Sequence, residues 1–145
     1  YKPDGETAYL DALCHVIDEL GKNLASTEES EKPDKVVVVV LTDGEENSSR
    51  EFNKKQTLKK VSHQQEKYNW QFVFLGANLD AVKQGEAIGV AGACCNNFAP
   101  TSKGLHLGVK QVSNNLAQYR SNLKCDMTYT VSQKKEADDL IEESK

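Results

Sequence analysis

Excess charge of one sign, long apolar runs and paired cysteines are all scarce in this sequence, and each scarcity narrows the reading. Eighteen Lys and Arg stand against 22 Asp and Glu, for a formal net charge of -4. That is the reverse of the basic balance typical of nucleic-acid-binding domains, so no nucleic-acid partner is expected. No apolar run approaches the ~20 residues a membrane-spanning helix needs. No positively charged start followed by an apolar stretch marks a secretory signal. A cytoplasmic location without membrane contact is the expectation. None of the four cysteines (Cys14, Cys94, Cys95, Cys125) belongs to a C-x-x-C pair, which leaves a zinc site little support. Cys14 falls in an apolar helical pattern and reads as a small buried hydrophobe. The adjacent Cys94 and Cys95 read as reduced thiols, with a strained vicinal disulfide as the alternative.

Catalytic signatures are missing too. There is no Asp-x-Asp after a strand, no Walker-type lysine loop and no Gly-x-Ser-x-Gly elbow. "FLGAN" has one glycine where a dinucleotide fingerprint needs three. His15, His63 and His106 lie in helical or near-helical stretches with no partner motif. An enzyme is therefore not expected. Repeats and low-complexity linkers are absent, and 145 residues suit one domain. Residues 1–131 form its body and 132–145 a helical tail. An opening Tyr1 and a single methionine, Met127, point to a processed product or a piece of something longer.

What is present is a regular alternation. Leu10, Leu13, Ile17, Leu20 and Leu24 keep the three-and-four spacing of one helical face, which predicts a helix over 7–25. A polar loop with Pro33 follows over 26–34. Residues 36–41 are valines and a leucine without a polar break. β-branching favours extended backbone, and the lack of alternation predicts a parallel strand buried on both faces. A helix over 52–68 has Leu58, Val61 and Tyr68 as its sparse apolar positions, with Lys54, Lys55, Lys59 and Lys60 as its solvated face. "WQFVFLGAN", 70–78, predicts a second strand, 79–88 a third helix, and "AGACCNNF", 91–98, a short third strand. Leu105, Val109, Val112, Leu116, Tyr119 and Leu123 mark an amphipathic stripe that packs on the sheet, a coiled-coil dimer being the alternative. Residues 132–145 read as an exposed helix with Ser132 as its N-cap. Helices alternating with strands imply a doubly wound, Rossmann-like parallel α/β sheet with right-handed crossovers.

The valine run stops at "LTDGEEN". In open α/β sheets ligands bind beyond the carboxyl ends of the strands, and Asp43 sits at that edge. Two readings stand: Asp43 forms the next turn with Gly44, or its carboxylate is offered to a ligand. "PDGETAYLDAL" favours the second. It sets Glu6 and Thr7 before the first helix, where Thr7 is otherwise an N-cap and Glu6 complements the helix dipole. A hydroxyl before one helix and a carboxylate after the next strand can converge on one sheet edge. Both are hard oxygen donors, suited to Mg²⁺, Mn²⁺ or Ca²⁺ rather than zinc.

"GETAYLDAL", "VVVVVLTDGEEN" and "WQFVFLGAN", in that order, resemble the later part of a von Willebrand factor A domain, closest to its bacterial and phage-type intracellular members. The resemblance covers roughly residues 3–100. It implies a doubly wound three-layer α/β sandwich with a metal-ion-dependent adhesion site, where a divalent cation is completed by an acidic group of a partner protein. Thr7 and Asp43 match two of that site's three loops, with Glu6, Gly44, Glu45, Glu46 and Asn47 as the rim. The third loop's Asp-x-Ser-x-Ser does not occur here, which implies an N-terminally incomplete version with a hydrophobic sheet edge. The preceding part of a longer protein, or another chain such as a second copy, is expected to cover that edge. A structural or assembly role without metal is the alternative function, and a metal-dependent phosphoryl-transfer enzyme is a more distant one.

Overall fold

The runs richest in β-branched and aromatic side chains form the sheet. A computed structural model describes residues 8–46 and 48–145. In chain order the elements are α1 (Tyr9–Ala25), β1 (Val37–Thr42), α2 (Lys54–Tyr68), β2 (Gln71–Gly76), α3 (Ala81–Ala87), β3 (Cys95–Asn97), α4 (Ser102–Arg120) and α5 (Val131–Glu143). The strands lie in the order β1-β2-β3 and all pair in parallel. Val37 is opposite Gln71 and Thr42 opposite Gly76. This is the expected alternation, an α/β fold of the Rossmann-like class.

Side-chain parity divides the core into two layers. Val38 and Val40 of β1, with Phe72 and Phe74 of β2, pack against Leu10, Leu13 and Ile17 of α1 and Val61 of α2. On the other face Val73 and Leu75 meet Tyr119, Met127 and Tyr129, joined by Val37, Val112 and Leu116. The sheet is thus covered on both sides. Gly85 allows α3 to lie close to the sheet, since a Cβ there would run into Cys95 Sγ and Phe74.

Helix ends follow local chemistry. Asn53 and Gln56 form a capping box that starts α2, satisfying donors the first turn leaves free. Asn69, left-handed at φ 54°, ends it. Asp80 accepts from Lys83 N and Thr101 from Gly104 N, starting α3 and α4.

Three expectations change on folding. The valine strand is not buried on both faces: β2 is the covered central strand, and β1 is an edge whose Val39 and Leu41 remain 41% and 49% exposed. Nothing among the described residues pairs with its outer side. The α4 stripe divides as well. Val112, Leu116 and Tyr119 pack on the sheet, while Leu105 and Val109 stay 41% and 49% exposed. The most buried face of α4 is instead Gly104, Gly108, Gln111, Asn115 and Tyr119. Finally, α5 is capped by Thr130, which accepts from Gln133 N while Gln133 returns a bond to Thr130 N. Ser132 lies one residue inside the helix.

α5 also packs. Its Ala137 is buried. Asn115 and Gln133 exchange side-chain amide bonds at 3.2 and 2.9 Å, and Gln111 reaches the Gln133 carbonyl and Glu136. All four cysteines are free thiols, so the vicinal disulfide does not form. No helix among the described residues is long and apolar enough to cross a membrane.

Candidate functional site

At the carboxyl end of the sheet, where the strands run out and the loops diverge, lies an open cleft of about 870 Å³. Its walls include Ala8 and Tyr9 of the α1 end, Thr42 and Asp43 after β1, Asn78 after β2, and Thr101 after β3. The cleft therefore collects residues from every strand end.

A tight turn presents Asp43. The Thr42 hydroxyl donates to the Gly44 carbonyl at 2.8 Å and accepts from Gly44 N at 3.3 Å. The Asp43 carbonyl accepts from Asn78 Nδ2 at 3.1 Å. Turn formation thus uses the threonine side chain and the aspartate backbone. Among the described residues the Asp43 carboxylate has no hydrogen-bond partner, and its residue is exposed.

The loop after Asp43 is fastened to the first turn of α1. Glu46 turns inward, its carboxylate accepting from Leu10 N at 3.1 Å, Ser48 N at 3.2 Å and Ser49 N at 2.6 Å. Ser49 Oγ accepts from Asp11 N. In return, the Asp11 carboxylate accepts from the backbone N–H groups of Arg50, Glu51 and Phe52 at 2.8, 3.2 and 2.9 Å. A helix start leaves its first N–H groups without intrahelical partners, and these acids and hydroxyls supply them. Burial works to raise the Asp11 pKa, but the three N–H groups, with nearby His15, outweigh it and hold the carboxyl below its ordinary value. The lacing fixes the α1 end against the loop that follows Asp43.

Tyr9 closes the inner wall. Its hydroxyl donates to Gln84 Oε1 at 3.0 Å. Burial first, then the charges of Glu46 and Glu45, push its pKa up to about 12, so the phenol stays neutral at physiological pH.

The sequence-selected residues therefore separate. Asp43 stands at the cleft, Gly44 shapes its turn and Glu45 is exposed beside it. Glu46 is engaged within the chain rather than open on the rim. Glu6, Thr7 and Asn47 lie outside the described residues. Sequence reasoning passed over Tyr9, Asn78 and Thr101. The signal for Asn78 and Thr101 was their position just after strands two and three, at the ligand-bearing edge of a parallel sheet. Ala8, Ala12, Leu41, Phe98, Pro100 and Leu105 make much of the lining apolar, and its polar side chains, Thr42, Asp43, Asn78, Thr101 and Ser102, carry oxygen, the donor type a magnesium-type ion accepts when water completes its shell. No group of three or more His, Cys, Asp or Glu side chains converges among the described residues. Comparison with protein-family models, curated proteins and solved structures finds no match.

Proposed function

We propose that the chain is a non-enzymatic protein-binding module of the von Willebrand factor A type. Asp43 would contribute to a divalent-cation site that engages an acidic group of a partner protein. The observation that carries this reading is the Asp43 carboxylate, held out at the sheet's carboxyl edge by a turn that does not use it. Thr7, the second protein ligand that the resemblance implies, directly precedes Ala8 in the sequence. A bound ion would supply positive charge between Asp43 and the partner's carboxylate. With one acid in place, water must complete most of its shell, and affinity is expected to be modest.

Titration of Mg²⁺, Mn²⁺ and Ca²⁺ against the chain and its Asp43→Ala variant, read as thermal stability, tests this. An ion that binds only the folded state raises stability by RT ln(1 + [L]/Kd), about 1.4 kcal/mol at tenfold over Kd. For a chain of this size that is ~4 °C. A rise in the parent chain that Asp43→Ala abolishes supports the site. No rise, or an equal rise in both, removes it.

A further inference from the structure

We infer that the outer edge of β1, unpaired among the described residues, pairs with the β1 edge of a second copy, antiparallel and about a two-fold axis through Val39, giving a continuous six-stranded sheet. Three independent observations lead there.

The first is backbone direction. Val36 and Thr42 turn their carbonyls toward β2, accepting from Gln71 N and Ala77 N. Successive residues of a strand alternate, so Val37, Val39 and Leu41 point N–H and C=O away from β2. A two-fold through Val39 sets Val39 opposite its own counterpart and Val37 opposite Leu41. Each outward residue then exchanges both backbone groups with the one facing it, the hydrogen-bonded pair of an antiparallel ladder.

The second is the apolar surface beside the edge. From Val36 to Leu41 the strand carries no charge, proline or glycine, the devices by which edges ordinarily discourage pairing. Val39 and Leu41 are exposed on the α4 face, and Leu105 and Val109 of α4 are exposed as well. Leu41 and Leu105 line the same cleft. On the opposite face Val16 of α1, 47% exposed, lines a groove with Val38 and Val40. Apolar surface on both faces suits a neighbouring strand that is apolar on both faces and flanked by its own helices, and β1 itself has that character.

The third is charge. Lys35 precedes the strand and Asp43 follows it. Antiparallel pairing about Val39 places Lys35 of each copy across from Asp43 of the other. Parallel pairing would set like charges together, which is destabilising. Lys35 is held on the α4 face by the Tyr119 carbonyl and Asn122, the face toward which odd-numbered side chains project.

Backbone groups and apolar side chains carry this pairing and the Lys35–Asp43 contact only aids it; Asp43 is shared with the ion reading, so Val39, which does not line the cleft, is the residue that separates the two. Sedimentation equilibrium over a wide concentration range is the test, with far-UV circular dichroism as the folding control. The expected result is a species of twice the chain mass. Val39→Lys should shift it to the single-chain mass while leaving the Mg²⁺-dependent rise in stability untouched. Asp43→Ala should abolish that rise and weaken association only several-fold. In a Cys125→Ser background, oxidation of Val39→Cys should cross-link two copies, since a hydrogen-bonded antiparallel pair holds Cα atoms about 5.5 Å apart, within disulfide reach. If Val39→Lys fails to fold, this cross-link alone decides the outcome. A chain that stays monomeric at high concentration overturns the inference. So does a dimer that survives Val39→Lys, or one in which Val39→Cys fails to cross-link.

Discussion

Asp11 shows how one carboxylate can organise a loop without reaching a ligand. It accepts three consecutive backbone N–H groups, from Arg50 to Phe52, and so ties the segment after the candidate site to α1. Its pKa is depressed in the folded chain. A group of this kind adds stability that is present above its unfolded pKa, near 4, and is lost as pH falls through the lower folded value. The Asp11→Asn variant should therefore melt below the parent at pH 7 and show a shallower loss of stability below about pH 4. Thermal melts across that range check it, and parallel profiles for parent and variant would contradict the assignment. Asp11 and Glu46 appear in the sequence as ordinary surface acids. Nothing in their local pattern reveals that Asp11 accepts from the backbone of 50–52 and Glu46 from that of Leu10, because that juxtaposition exists only once β1 has delivered its loop to the start of α1.

At the level of the element, the start of α5 separates a propensity argument from an observed cap. Ser132 is a good capping residue by type, yet Thr130 holds the position, with Gln133 closing the box from three residues on. Thr130→Ala should cost about 1 kcal/mol, while Ser132→Ala, exposed inside the first turn, should stay within about 0.5 kcal/mol. Urea unfolding of the two variants measures the difference, and equal costs would refute the cap. The reason Thr130 wins is tertiary. Tyr129 is buried and its N–H donates to the Ala93 carbonyl, so the chain is held extended through that residue and can turn helical only after it. The same logic explains α4. Its apolar stripe is plain in the sequence, but the face it buries most deeply includes Gly104, Gly108, Gln111 and Asn115. Gly104 permits close approach, since a Cβ there would run into the Ala99 carbonyl, and the two amides bond across to β3 and α5.

Across the whole molecule, the two core layers share one sheet, and α5 is joined to α4 and β3 by buried amides. Asn96 donates to Gln111 at 3.2 Å, and Gln111 and Asn115 continue to α5. Burying such groups is tolerable only while every partner is in place, so losing α5 would strand them in the interior. The chain should therefore unfold as a unit. At fixed protein concentration, Trp70 fluorescence, reporting the α1–α3 side, and far-UV circular dichroism, reporting all helices, should give coincident urea transitions. A separate early loss of helical signal would mark α5 as an independent tail.

The sequence by itself determined the order and type of the elements. Valine-rich and aromatic runs, three-and-four apolar spacing and polar breaks are local signals that survive without neighbours. It also placed Asp43 at the carboxyl edge, because a strand's end is a one-dimensional fact. Only the tertiary structure decided which strand is central and which is edge, since five valines look the same whether one or two neighbours flank them. It likewise decided which acids near the site stay open. Asp43 remains exposed because Thr42 and Asn78 shape its turn, while Glu46 is drawn in by the unpaired N–H groups at the start of α1. Those partners lie tens of residues apart in the chain, and folding is what brings them together.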